Sequence, residues 1–152
     1  MNIKVCGITE LKQLQQLDGL DIDFAGMIFY KESPRYVGGK LNPKDVKKAD
    51  FDLKKTGVFV NPEMIDVLDA IDEYGLEVVQ LHGDESPEMC EDLSTEVEVI
   101  KAFRISGGNQ ALGNQGVDHF RLADHIGIFG VHVEQIGLVR GGVTISASIC
   151  HH

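Results

Sequence analysis

Cys6, Arg35, Gln80, His82, Lys101 and Arg104 are the side chains whose types could do chemistry together, because each falls where an apolar run gives way to the segment behind it. "IKVCGIT" sets a thiol and a glycine directly after a short apolar run, and "SPRY" places an arginine in a turn after the next one. "QLHG" and "IKAFR" end two later runs. A thiolate works as a base only when nearby positive charge or hydrogen bonds lower its pKa from about 8.5 toward neutrality. Arg35 could contribute to that field, and its planar fork also suits a substrate carboxylate. Each residue also has a plainer reading. Cys6 alone fits a small buried hydrophobe, Arg35 a solvated turn residue, and His82 a side chain bonded to nearby backbone. The departure of thiol, arginine and histidine from successive strands at one rim is what points to a site.

Those positions require alternating strands and helices. "IKVC", "DFAGMIFY", "KTGVFV", "EVVQLHG" and "VEVIKAF" read as five strands. Between them, Thr9 caps a helix running to about Leu17. Asn61 with Pro62 starts a helix with Met64, Leu68 and Ile71 on one face and Gly75 as its stop. Ser86 with Pro87 repeats that start before Met89 and Leu93. Strands separated by helices of this length need crossover connections, so the class is α/β with a parallel sheet. Two architectures satisfy this. An open doubly wound sheet suits 152 residues, whereas a closed eight-stranded barrel usually needs roughly 200 or more. Length by itself favours the open sheet.

Composition narrows the partners. A chain of 152 residues accommodates one domain with a real core, here residues 1–152. The net charge of -10 repels nucleic acid and anionic lipid at long range. With no apolar run long enough to span a bilayer and no basic-then-apolar leader, the expected location is the cytoplasm. Cys6, Cys90 and Cys150 have no paired spacing, which argues against a disulfide framework and a zinc site. The expected partner is a small molecule, bound by a monomer or a homo-oligomer.

"KVCGIT", "GMIFYKESPRYV", "GVFVN", "VVQLHGDESPEMC" and "VIKAFRIS" follow one another in an order and spacing that resemble the phosphoribosylanthranilate isomerase family, over roughly residues 2 to 106. The resemblance implies a parallel (βα)8 barrel of the TIM type. It also implies an Amadori rearrangement of phosphoribosylanthranilate to 1-(2-carboxyphenylamino)-1-deoxyribulose 5-phosphate, without metal or organic cofactor. By the same resemblance Cys6 is the general base at C2 of the Schiff-base intermediate, and Arg35 faces the anthranilate carboxylate. Gln80 and His82 line the mouth.

Beyond residue 106 the pattern departs from the family. "VDHF" reads as the start of a sixth strand, but the family's "FDT" aspartate, the acid for ring opening, does not follow. Asp124 stands about one position late, and one residue along a strand turns a side chain to the other face. The acid role is therefore not assigned to it. "RGGVT" at Arg140 to Thr144 is glycine-rich enough to approach a phosphate, though its distance from "VDHF" does not fit the family. No lysine follows Lys101, and five of the six histidines lie after Ala111. A change of reading frame explains this joint loss of motif, charge balance and periodicity economically. The alternative functions are a vestigial phosphosugar-binding protein and, last, a flavodoxin-like receiver domain.

Overall fold

Strand order decides between the two architectures. The computed structural model describes residues 3–104, 135–139 and 142–144. Its first five strands are β1 (Lys4–Cys6), β2 (Phe24–Ile28), β3 (Lys54–Phe59), β4 (Val78–Leu81) and β5 (Glu98–Arg104). They lie side by side in sequence order, and every neighbouring pair is parallel. A doubly wound sheet reverses its winding partway, returning to the other side of its first strand, and so puts helices on both faces. Here each right-handed crossover steps the same way, so all helices lie on one face and the sheet is wound as a barrel wall. The open sheet favoured by length is thereby corrected, and with it the receiver-domain alternative. Length misled because it carries no information about winding direction.

The helices are α1 (Leu11–Asp18), α2 (Pro43–Lys48), α3 (Met64–Tyr74) and α4 (Pro87–Leu93). Their starts refine the sequence expectations. Ser86 does cap α4, its hydroxyl accepting from the Met89 N–H at 3.2 Å, with Pro87 as first helical residue. Gly75 ends α3 in a left-handed conformation. Thr9, however, is not the cap of α1. That position is Glu10, and the Gln13 side chain folds back to accept the N–H groups of both Thr9 and Glu10. The helix α2 had no counterpart in the sequence reading, although Asn42 and Pro43 start it by the same chemistry, Asn42 accepting from the Lys44 N–H. On α3 the buried stripe is Val67, Ala70 and Tyr74, while Leu68 is 36% exposed. Of the expected face, Met64 and Ile71 do pack against the core at its flank, so only Leu68 falls off the buried side.

The ladder sorts the strand residues onto two faces. Ala25, Met27, Phe59, Val79, Leu81 and Val99 pack against Leu14, Val46, Val67, Ala70 and Leu93 from the helices in one core. Truncating a buried leucine such as Leu14 in such a core costs about 2–5 kcal/mol. Phe24, Val78 and Ile100 form a separate cluster on the opposite face, the concave side of the wall. Cys6, Gly26, Thr56, Val78 and Glu98 stand in register across that face, and Ile28, Val58, Gln80 and Ile100 form the next row toward the strand ends.

After β5 the parallel pattern stops. The strands β6 (Gln135–Val139) and β7 (Gly142–Thr144) extend the sheet in antiparallel fashion, β6 against β5 and β7 against β6. Departure from the barrel pattern after the fifth strand therefore follows the sequence expectation. Gly142 to Thr144, part of the glycine-rich stretch, belong to this ladder. "VDHF", Asp124 and Arg140 lie outside the described residues.

Candidate active site

Two glycines bring Cys6 and Arg35 together. Gly7, at φ 95°, adopts a backbone conformation that favours glycine, and it turns the chain immediately after the thiol. Its N–H and that of Ile8 both donate to the Gly26 carbonyl, at 2.9 and 3.0 Å, which holds the end of β1 against β2. A Cβ on Gly7 would lie 2.6 Å from Cδ and Nη1 of Arg35, so the arginine covers this turn. Arg35 Nη1 donates to the Cys6 carbonyl at 3.2 Å. The turn carrying Arg35 is itself pinned. Tyr36 bridges to Ile28, the Val37 N–H donates to the Ile28 carbonyl at 2.8 Å, and Lys40 Nζ reaches the Pro34 carbonyl at 2.7 Å.

Gly26 makes the second close approach. A Cβ there would stand 2.9 Å from Cys6 Sγ and 3.0 Å from Lys4 Nζ. The absent side chain is the space that thiol and ammonium share on the concave face. Cys6 is half-buried, and Lys4 is buried at 8% exposure. Sequence reasoning passed over Lys4, although a residue two before Cys6 on a strand must share its face.

Gln80 occupies the same face one row closer to the mouth. It is 3% exposed, and its Oε1 is a buried acceptor with no hydrogen-bond partner among the described residues. An acceptor left so costs about 1–3 kcal/mol, which a bound donor would offset. His82 lies just beyond β4 and is half-buried, its backbone N–H donating to the Phe59 carbonyl at 2.8 Å. Cys6, Arg35, Gln80 and His82 thus all lie at the carboxyl ends of the parallel strands, where barrel enzymes place their chemistry.

Lys101 does not join them. Ile100 is the partner of Gln80 in the ladder, so Lys101 points the other way, toward the helices, in register with Leu81. Its Nζ donates to the Gly83 carbonyl at 2.6 Å and to Glu85 Oε2 at 2.7 Å, with the Lys101 and Glu85 side chains 5% and 1% exposed. Glu85 also accepts from the N–H groups of Asn61 at 2.9 Å and Gly83 at 3.0 Å. Burial pushes the Glu85 carboxyl up, but the bonds from Lys101 and the Asn61 backbone outweigh it and hold the group below its usual range. Asn61 is therefore not the cap of α3. It sits at φ 47° and ties the end of β3 to the segment after β4, with its Oδ1 accepting from the Asp84 N–H at 2.7 Å. The rim expected to hold six functional side chains instead uses Lys101 to brace two of its loops. Arg104 is the last residue of β5.

A cavity of about 570 Å³ opens beside β2, β3 and α3, where Phe29 stacks on Phe59 at 4.9 Å and meets Tyr74 edge-on. Cys6, Arg35, Gln80 and His82 are not among its lining residues, so it is a separate feature.

Comparison with known proteins agrees with the barrel-type fold. The family model described as N-(5'-phosphoribosyl)anthranilate (PRA) isomerase matches residues 3–133. The isomerase of Trichodesmium erythraeum is 39% identical over 109 residues, covering 69% of this chain and 47% of the relative. That of Thermotoga neapolitana is 40% identical over 110 residues, covering 70% and 52%. Among solved structures, the isomerase of Thermus thermophilus superposes with a TM-score of 0.65 at 30% identity, covering 72% of this chain and 55% of that one. Another, an isomerase in complex with reduced 1-(o-carboxyphenylamino)-1-deoxyribulose 5-phosphate, has a TM-score of 0.59 at 34% identity and covers 70% and 55%. The chain spans about half the length of the curated relatives it matches. By the extent of the family match and the shared barrel-type fold, this chain belongs to the N-(5'-phosphoribosyl)anthranilate isomerase family.

Proposed function

We propose that the chain carries the Amadori rearrangement of its family, converting N-(5-phosphoribosyl)anthranilate to 1-(2-carboxyphenylamino)-1-deoxyribulose 5-phosphate in tryptophan biosynthesis. The observation that carries this reading is the seating of the Arg35 guanidinium on the Cys6 carbonyl and the Gly7 turn, which brings it to the same end of β1 as the thiol-bearing residue. In the proposed step the Cys6 thiolate takes the C2 proton of the ring-opened Schiff base. The electron pair left behind forms a C1–C2 double bond and neutralises the nitrogen, giving an enolamine. The ketose follows when the C2 hydroxyl loses its proton to become a carbonyl and C1 gains one. Arg35 holds the anthranilate carboxylate by charge-assisted hydrogen bonds, while Gln80 and His82 line the mouth. Residues 1–152 act as one domain on this small substrate, in the cytoplasm, with neither nucleic acid nor membrane as partner.

The test is turnover of freshly made phosphoribosylanthranilate by the purified chain, followed as loss of anthranilate-type fluorescence, with binding of the reduced product analogue measured in parallel. Turnover supports the reading. Analogue binding without turnover favours the vestigial binding protein, and absence of both from folded protein overturns the assignment of substrate.

A further inference from the structure

We propose that Lys4 is the counter-charge of the Cys6 thiolate, a positioning residue that acts through the sulfur. The inference deepens the isomerase reading and rests on it for its purpose. Its geometry comes from the vacancy at Gly26, where Cys6 Sγ and Lys4 Nζ lie 2.9 and 3.0 Å from one point. That separation falls inside the range of about 6 Å over which a charge biases an ionisable neighbour. Lys4 is 8% exposed as a residue, and among the described residues its ammonium has no hydrogen-bond or ion-pair partner, which leaves its charge to act on the sulfur beside it.

Among the described residues, the other charged groups near this site have partners of their own. Arg35 gives its Nη1 to the Cys6 carbonyl. Lys54, in register with Lys4 across Phe24, is paired with Glu98 at 2.6 Å. The intervening positions on β2 are Phe24, Gly26 and Ile28, none of which carries charge. The thiolate of Cys6 is thus the complementary group that the geometry offers Lys4. A lysine suits the role because a compact ammonium on a flexible stem can follow the sulfur as its charge appears and disappears.

The test is alkylation of Cys6 by iodoacetamide in the full chain, quantified on the Cys6 peptide by mass spectrometry. It compares the unaltered chain, Lys4→Met and Lys4→Arg at pH 7 and pH 10, with circular dichroism as a check of folding. An ammonium this close favours the charged form of the sulfur, and its removal takes that attraction away while leaving the thiolate that does form more nucleophilic. Lys4→Met is therefore expected to react about threefold more slowly at pH 7, and as fast or faster at pH 10. Lys4→Arg, which keeps the charge, should stay within about twofold of the unaltered chain. Equal rates for Lys4→Met at pH 7, or the same slowing at both pH values, would overturn the proposal. Alkylation needs no substrate, so failure here leaves the isomerase reading standing, and failed turnover leaves this inference standing.

Discussion

Replacing Lys101 by methionine probes the brace beneath the candidate site. The substitution keeps the volume of the stem and removes the ammonium that Glu85 meets at 2.7 Å, with the two side chains 5% and 1% exposed. Breaking a buried pair by deleting one partner costs about 3–5 kcal/mol, because the remaining charge is left uncompensated. Glu85 retains the Asn61 and Gly83 N–H donors at 2.9 and 3.0 Å, which sets the expectation at the lower end, about 3 kcal/mol. With a urea dependence of about 1–3 kcal/mol per molar, the unfolding midpoint should fall by roughly 1–3 M. Equilibrium urea denaturation followed by circular dichroism measures it. Adding Glu85→Gln to Lys101→Met should restore about 1–2 kcal/mol, since an amide is cheaper to bury than an unpaired carboxylate. A loss below about 1 kcal/mol for Lys101→Met, or a double variant less stable than the single one, would refute the reasoning.

The same carboxyl predicts a pH dependence. Its native pKa lies below the ordinary value of 4.5, so it contributes stability at pH values above 4.5 that is lost as pH falls through the lower native value; urea midpoints across that interval should fall more steeply for the unaltered chain than for Glu85→Gln. Gly26→Ala places a methyl 2.9 Å from Cys6 Sγ and 3.3 Å from Cys6 Cα, and should cost about 1–3 kcal/mol by overpacking while also slowing turnover, as urea titration and the fluorescence assay would report. Arg35→Met should raise KM by about tenfold or more through loss of a charge-assisted contact to the carboxylate, with a smaller effect on kcat, measured by steady-state kinetics.

Legibility in the sequence varied with the range of the interaction. The five strands, the Ser86–Pro87 helix start and the Gly75 stop are local matters of periodicity and capping, and they stand in the structure as expected. Winding direction is not local, so length pointed to the wrong sheet while the motifs near Cys6 and "QLHG" pointed to the barrel. Lys101 was misplaced because "VEVIKAF" is apolar on both faces, which hides the alternation that would have put it opposite Gln80. Glu85 stands in the acidic stretch "GDESPE", where nothing local marks it, and only the fold brings it to Lys101. Asn61 before Pro62 has the composition of a cap, yet its bonds go to the neighbouring loop, a contact spanning 23 residues. Lys4 could have been found, since period-two alternation alone puts it on the face of Cys6.

The most direct test of the central claim is the kcat of Cys6→Ala on freshly made phosphoribosylanthranilate, compared with the unaltered chain under the same conditions. Removing the general base should lower kcat by about 10²- to 10⁴-fold while circular dichroism and affinity for the reduced product analogue stay unchanged. Turnover by Cys6→Ala within a few-fold of the unaltered chain would contradict the account and return Cys6 to the role of a packing residue.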